Sequence, residues 1–293
     1  MLLIIIVLIA GCKQNQENYQ IDFTKKEFIP PESETDDTPI RVAIISVLSP
    51  SDTIKSYRKI ANYIGDRLDR PAILIQRKSY NEISNLIING GADIALLTTG
   101  SYITNNEVDG IEPIALQQRM GSPYNQGYIV VNSKDNYEDL NSLRGKSFAF
   151  TDPISYSGYI SVKTQLLELD DSPESFFSDY TFTYNQKESL RGVLNNIFDA
   201  ATISSLTYES IKTQNPSMIK DLKIIGKSEP MGTGPVVISE SLSDKEKKII
   251  RDSFITMHED KSMLATLDNL FIDRYLPFDF TFYKVGFSDE MVE

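Results

Sequence analysis

Periodicity along the chain predicts an α/β protein built as two lobes in succession. Three observations carry this. A β-α-β-α-β alternation starts at Ile40, it restarts at Tyr128, and the globular stretch of roughly 250 residues exceeds the usual size of one domain. Strands alternating with amphipathic helices are the mark of a parallel sheet covered by helices.

Ile40 to Ser46 is a β-rich apolar run, broken by Val47-Leu-Ser-Pro-Ser51. Ser51 or Asp52 can cap a helix to about Leu68, in which Ile54, Tyr57, Ile60, Ala61 and Ile64 recur at helical spacing. Pro71 opens a strand from Ala72 to Gln76, and Tyr80 to Asn89 is an amphipathic helix stopped by Gly90 and Gly91. Asp93 to Leu97 is a third strand, entering Thr98-Thr-Gly-Ser-Tyr102 and a further helix.

The second half begins with a strand from Tyr128 to Asn132, a helical turn from Leu140 to Arg144 and a strand from Lys146 to Thr151. Asp152 to Gly158 reads as a hydroxyl-rich loop before a helix through about Leu169. Next come a strand from Tyr180 to Thr183, a helix from Lys187 to Asn196 and strands at Phe198–Ile203, Lys223–Gly226 and Pro235–Ser239. Ser243 and Glu246 match a capping box for a helix to about His258. A last helix, Ser262 to about Leu270, precedes a Phe/Tyr-rich tail.

Upstream, the eight apolar residues Leu2 to Ile9 are followed by Ala10, Gly11 and Cys12, the one cysteine of the chain. This resembles the lipobox of bacterial lipoproteins, in which the leader is removed and the cysteine is acylated. At about 1.5 Å per residue the run spans less than half of a ~30 Å hydrocarbon core, so it fits a signal peptide rather than a membrane span. Residues 1–11 are therefore expected to be a signal peptide, and 12–39 the lipidated Cys12 and a polar, flexible tether. The mature protein is expected outside the cytoplasmic membrane, held by lipid.

A formal net charge of −12 argues against nucleic acid as partner. With Cys12 consumed by lipid no disulfide remains. Neither a metal-ligand cluster, a Gly-x-Ser-x-Gly elbow nor a nucleotide-type phosphate loop is visible, so no enzyme, metal or cofactor is expected. His258, the lone histidine, reads as a solvated surface residue.

The order of motifs resembles the phosphate/phosphite/phosphonate-binding proteins of ABC transporters, a branch of the type II periplasmic binding fold. Four stretches carry the resemblance over roughly Ile40 to Gly286. They are Ser79-Tyr-Asn-Glu-Ile83 with Gly91 to Leu97 and Ser101-Tyr102; Gly121-Ser-Pro-Tyr124; Leu140 to Gly145 with Phe148 to Pro153 and Ser155-Tyr-Ser-Gly158; and Phe198-Asp-Ala-Ala201. The resemblance implies two lobes with a ligand cleft between them, lobe I at 40–126 and 233–293 and lobe II at 127–232. It further implies a monomer that passes a small oxyanion to an ABC permease. The same lobes also suit a sensor that reports ligand to a membrane histidine kinase.

Within that frame Ser155, Tyr156, Ser157 and Gly158 sit between a strand end and a helix start, where hydroxyls and free N–H groups suit an anion. Thr98, Thr99, Ser101 and Tyr102 form the corresponding element of lobe I, with Tyr124 and Tyr80 as phenol donors and Ser49 and Ser51 as further contacts. Asp199 follows the family motif. Two positions depart from it. Tyr156 replaces a small hydroxyl of Ser-Thr-Ser-Gly, and Asn185-Gln186-Lys187 stands where relatives commonly carry histidine. Gln186 donates a hydrogen bond but cannot become cationic.

Overall fold

The computed structural model describes residues 38–45, 50–77, 79–105 and 109–283. Cys12, the leader, most of the tether and Ser49 lie outside the described residues, as does the side chain of Ser51. Among the described residues no helix is long and apolar enough to cross a membrane.

The chain opens with strand β1 (Ile40–Ile45), helix α1 (Pro50–Leu68), β2 (Ala72–Arg77), α2 (Tyr80–Ile88), β3 (Ile94–Leu96) and the short α3 (Thr99–Ile103). Helix α1 starts at Pro50, ahead of the expected cap at Ser51 or Asp52. Proline suits the first helical turn, where its missing N–H costs nothing and its fixed φ is already helical. Asp93 explains the Gly-x-Asp block at the entry to β3. Its carboxylate accepts the backbone N–H of Arg41 at 2.7 Å and is gripped by the Arg41 guanidinium at 2.6 and 3.1 Å. A forked ion pair thus sets the register between β1 and β3.

Strand β4 (Ile111–Gln118) follows, then the two-residue β5 (Tyr124–Asn125). The chain then enters the second half through β6 (Gly127–Asn132), a 3₁₀ turn at Asn141–Leu143, β7 (Ser147–Phe150), a π turn at Tyr156–Ile160 and α4 (Ser161–Leu167). The expected loop to Gly158 therefore ends at Ser155, because Ser155 caps the helix three residues earlier than read from sequence. Helix α5 (Pro173–Phe176), β8 (Asp179–Phe182), α6 (Gln186–Leu194), β9 (Ala200–Ser204), α7 (Ser205–Gln214) and β10 (Leu222–Lys227) complete this half. The short β11 (Met231–Gly232) leads back to β12 (Pro235–Ser239), α8 (Asp244–Thr256), α9 (Leu264–Asn269) and β13 (Arg274–Pro277). The capping box of α8 forms as read, with Ser243 accepting from Glu246 N and Glu246 accepting from Ser243 N.

Two sheets result, ordered β13-β4-β12-β3-β1-β2 and β10-β6-β9-β7-β8. Neither is wholly parallel. Strands β2, β1 and β3 run together, as do β8, β7 and β9, but β12, β6 and β10 pair antiparallel with their neighbours. The departure from a purely parallel reading follows from the chain crossing between sheets twice, so that each sheet is completed by a strand arriving from the other side. Both crossings meet in one ribbon, where β5 pairs with β11.

Helices cover both faces of each sheet. On one face of the first, Ile60 and Ile64 of α1 and Phe254 of α8 pack with Ile40, Ile44 and Tyr275. On the other face, Ile83 and Ile87 of α2 pack with Ala95, Val237 and Tyr102. The second sheet buries Phe148, Phe150 and Phe176 on one side and Leu190, Val193 and Ile203 on the other. His258 departs from the surface reading. It is half-buried on a 3₁₀ turn after α8, and its Nδ1 is enclosed without a hydrogen-bond partner.

Candidate functional site

A cavity of about 140 Å³ opens at the carboxyl ends of β1, β3 and β9, lined from both sheets. Open α/β sheets bind ligands in this position, where strand ends and helix starts present unpaired backbone groups.

The second half contributes the π turn. Ser155 holds extended backbone before it, and its Oγ accepts the Gly158 N–H at 3.1 Å. Its carbonyl accepts both Tyr159 N (2.9 Å) and Ile160 N (3.0 Å), which winds the first turn wide. Ser157 is buried, and neither its N–H nor its Oγ has a partner among the described residues, while both belong to a residue that lines the cavity. A wide first turn at the start of a helix, continued by α4, thus aims donors and the positive end of the helix dipole at the space.

Tyr80, from the first turn of α2, reaches the Ser155 hydroxyl from the other sheet. Burial, then the Asp152 carboxylate, raise its pKa well above the ordinary phenol value, so it stays a neutral donor. Asp152 is itself raised by burial, partly countered by the Ile154 N–H.

Thr98 and Thr99 face the cavity from the start of α3, where Thr98 Oγ1 accepts Ser101 N at 3.1 Å and Thr99 Oγ1 donates to Gly232 O at 2.9 Å. Gln186 lines it from the first turn of α6, its Oε1 accepting Ser204 N at 2.9 Å. Its amide nitrogen is thereby left for the cavity. Asn125 is used in the same way, with Oδ1 accepting Ser204 Oγ at 2.7 Å.

Ser155, Ser157, Tyr80, Thr98, Thr99, Gln186 and Tyr156 therefore converge. Tyr156 does so as a wall rather than a donor, since its hydroxyl is spent on Glu229 O at 2.7 Å. Burial also raises its pKa. The remaining motif residues are not brought to the cavity. Ser101 Oγ is tied to Thr98 Oγ1 at 2.8 Å. Tyr102 is packed edge-on against Phe278 and Tyr283. Gly158 is required by crowding, because a Cβ there meets Thr151 side-chain atoms at 2.5 and 2.7 Å. Tyr124 is exposed beside Phe282 on the crossing ribbon.

Asp199 lies before the opposite end of β9, roughly 16 Å from Ser204 at ~3.3 Å per residue. It accepts from Ser147 N (2.9 Å), Ser147 Oγ (2.7 Å) and Tyr137 OH (2.8 Å). Burial alone raises its pKa, yet these bonds outweigh it and hold the carboxyl below its ordinary range. Sequence reasoning missed Asn125, Gln117, Arg119, Thr207 and Thr233, which also line the cavity.

The two halves touch beside the cavity. An ideal Cβ on Gly100 of α3 falls 1.8 Å from Ile154 O and 2.6 Å from Tyr156 N, so only glycine permits this approach. Tyr156 and Ile160 share an apolar cluster with Leu97 and Tyr102 across the same seam.

Residues 42–283 match the profile of a family described as the periplasmic substrate-binding protein of phosphonate ABC transporters. Over 154 residues the chain is 28% identical to the phosphonates-binding periplasmic protein of Escherichia coli, a match that covers 51% of this chain and 45% of that one. Among solved structures, a binding protein component of an ABC phosphonate transporter from Pseudomonas aeruginosa superposes with a TM-score of 0.75 at 20% identity. It covers 87% of this chain and 83% of its own. PhnD1 of Prochlorococcus marinus, solved in complex with methylphosphonate, gives 0.74 at 17% identity, covering 84% and 94%.

Proposed function

This chain belongs to the family of periplasmic substrate-binding proteins of phosphonate ABC transporters, and we propose that it captures a phosphonate or similar small oxyanion outside the cytoplasmic membrane and passes it to a permease. The observation that carries the reading is the Ser157 N–H and hydroxyl, unpartnered at a helix start in a cavity whose lining, among the described residues, includes no carboxylate. At Ser155–Ser157, neutral donors and a helix dipole stabilise an anion without a covalent or fixed ionic bond, so this group can leave again. Binding and release require no chemistry, and the protein acts as a monomeric carrier. Lobes at 40–126 with 233–293 and at 127–232 meet at the β5–β11 ribbon, which serves as the hinge.

Calorimetry with methylphosphonate is expected to show one site, with a raised melting temperature by mass action and a smaller radius of gyration in small-angle scattering. Methylphosphonate that neither binds nor compacts the protein sinks the reading. Binding without compaction places the ligand within one lobe.

Cys12 after a short apolar run supports a lipid anchor. Expressed in bacteria, the protein is expected to incorporate labelled palmitate and partition into detergent, and Cys12→Ser to do neither. Recovery of soluble, unlabelled wild type with its leader intact excludes the anchor.

A further inference from the structure

The cavity is larger than a simple oxyanion needs, and its lining carries a cation. On a volume measure in which one water takes about 10–15 Å³, its 140 Å³ accommodates roughly ten non-hydrogen atoms, about double those of methylphosphonate. Ser155 and Ser157 line the space from the π turn of the second half, whereas Arg119 lines it from just beyond β4 of the first sheet. Arg119 is the one charged residue among the described residues of the lining.

Its guanidinium is held in place. Nε donates to Gln117 Oε1 at 2.6 Å and Nη1 to Leu270 O at 3.1 Å. Both fixed acceptors are neutral, no carboxylate lies within 4.0 Å among the described residues, and Nη2 has no partner there. Tyr275, whose hydroxyl is buried without a hydrogen-bond partner, lies within electrostatic range of it. A positioned fork with spare donors in a partly enclosed space is suited to a planar anion.

We propose that the ligand carries a second anionic group, a carboxylate on a short arm, which Arg119 receives while the phosphonate group sits at Ser155–Ser157. This inference rests on the phosphonate reading above. A cationic arm meets the like charge of Arg119 with no carboxylate in the lining to receive it, and a neutral arm leaves the guanidinium without a counter-charge.

The test compares phosphonoacetate, methylphosphonate and 2-aminoethylphosphonate by calorimetry on the wild-type protein, Arg119→Gln and Arg119→Lys. Wild type is expected to bind phosphonoacetate about tenfold more tightly than methylphosphonate, with 2-aminoethylphosphonate weakest. In Arg119→Gln the first ratio collapses towards one. Arg119→Lys, which keeps the charge but loses the fork, falls between, and it serves as the probe if the glutamine variant melts early. Equal wild-type affinities, or a ratio unchanged in both variants, overturn the inference while leaving the phosphonate reading standing. Failure of all three compounds to bind wild type overturns both.

Discussion

Gly100→Ala is expected to weaken ligand capture by about 100-fold while leaving the protein folded. The added methyl falls 1.8 Å from Ile154 O and 2.6 Å from Tyr156 N, and both are backbone atoms of the segment that sets the π turn. A flexible side chain can swing away from such a clash; this segment cannot, because Ser155 N is tied to Asp152 O (2.9 Å) and Ile154 N to the Asp152 carboxylate (3.0 Å). Overpacking of this kind costs about 1–3 kcal/mol. The variant is expected to escape the cost by holding its halves apart. The penalty then appears as a smaller fraction of closed, binding-competent protein, which raises the apparent dissociation constant in proportion. At about 2.7 kcal/mol, within that range, the effect is roughly 100-fold. Calorimetry gives the affinity, and scattering is expected to show a radius of gyration that ligand no longer reduces. Wild-type affinity and compaction in the variant mean that the Gly100–Ile154 contact does not gate closure. A large loss of melting temperature without ligand means that it is permanent packing instead.

Legibility in the sequence followed the range of the signal. Elements with local markers were visible, such as α8 with its Ser243–Glu246 box and β9 with its apolar run. Strand β4 was not, because Glu112, Pro113, Gln117 and Gln118 give it a broken pattern. It is a strand through its partners, β12 and β13, which arrive more than a hundred residues later. Pro113, which has no N–H for a ladder, is accommodated where the register with β12 shifts between Val236 and Val237. Missing β4 also hid Arg119, which lies just beyond its end.

The site was half legible for a related reason. Motif spacing locates a turn but not the direction in which each side chain leaves it. Ser155 and Ser157 face the cavity, whereas Ser101, Tyr102 and Asp199 in equally family-like blocks serve packing and strand pinning. Gln186, singled out as a donor replacing histidine, uses its oxygen to fix Ser204, a partnership between α6 and β9 that only the folded chain defines.

Removing the hydroxyls of the π turn separates ligand contact from capping. Ser157 lines the cavity and its Oγ holds nothing among the described residues, so Ser157→Ala is expected to leave the melting temperature of the unliganded protein unchanged. Its whole effect then falls on affinity. An anion that loses one of its donors in a buried site costs about 1–3 kcal/mol, or roughly 5- to 150-fold in dissociation constant. Ser155 has a second duty, since its Oγ caps Gly158 N at 3.1 Å. Ser155→Ala therefore also costs about 1 kcal/mol of stability, and its affinity must be measured well below the melting transition. The two residues share one turn, so the double variant is not expected to equal the sum of the singles. Gln186→Ala is expected to weaken binding less than Ser157→Ala, because its nitrogen is one peripheral donor, and to lower stability by freeing Ser204 N. Methylphosphonate bound with wild-type affinity by both Ser155→Ala and Ser157→Ala reduces these serines to turn residues and moves the anion elsewhere in the cavity.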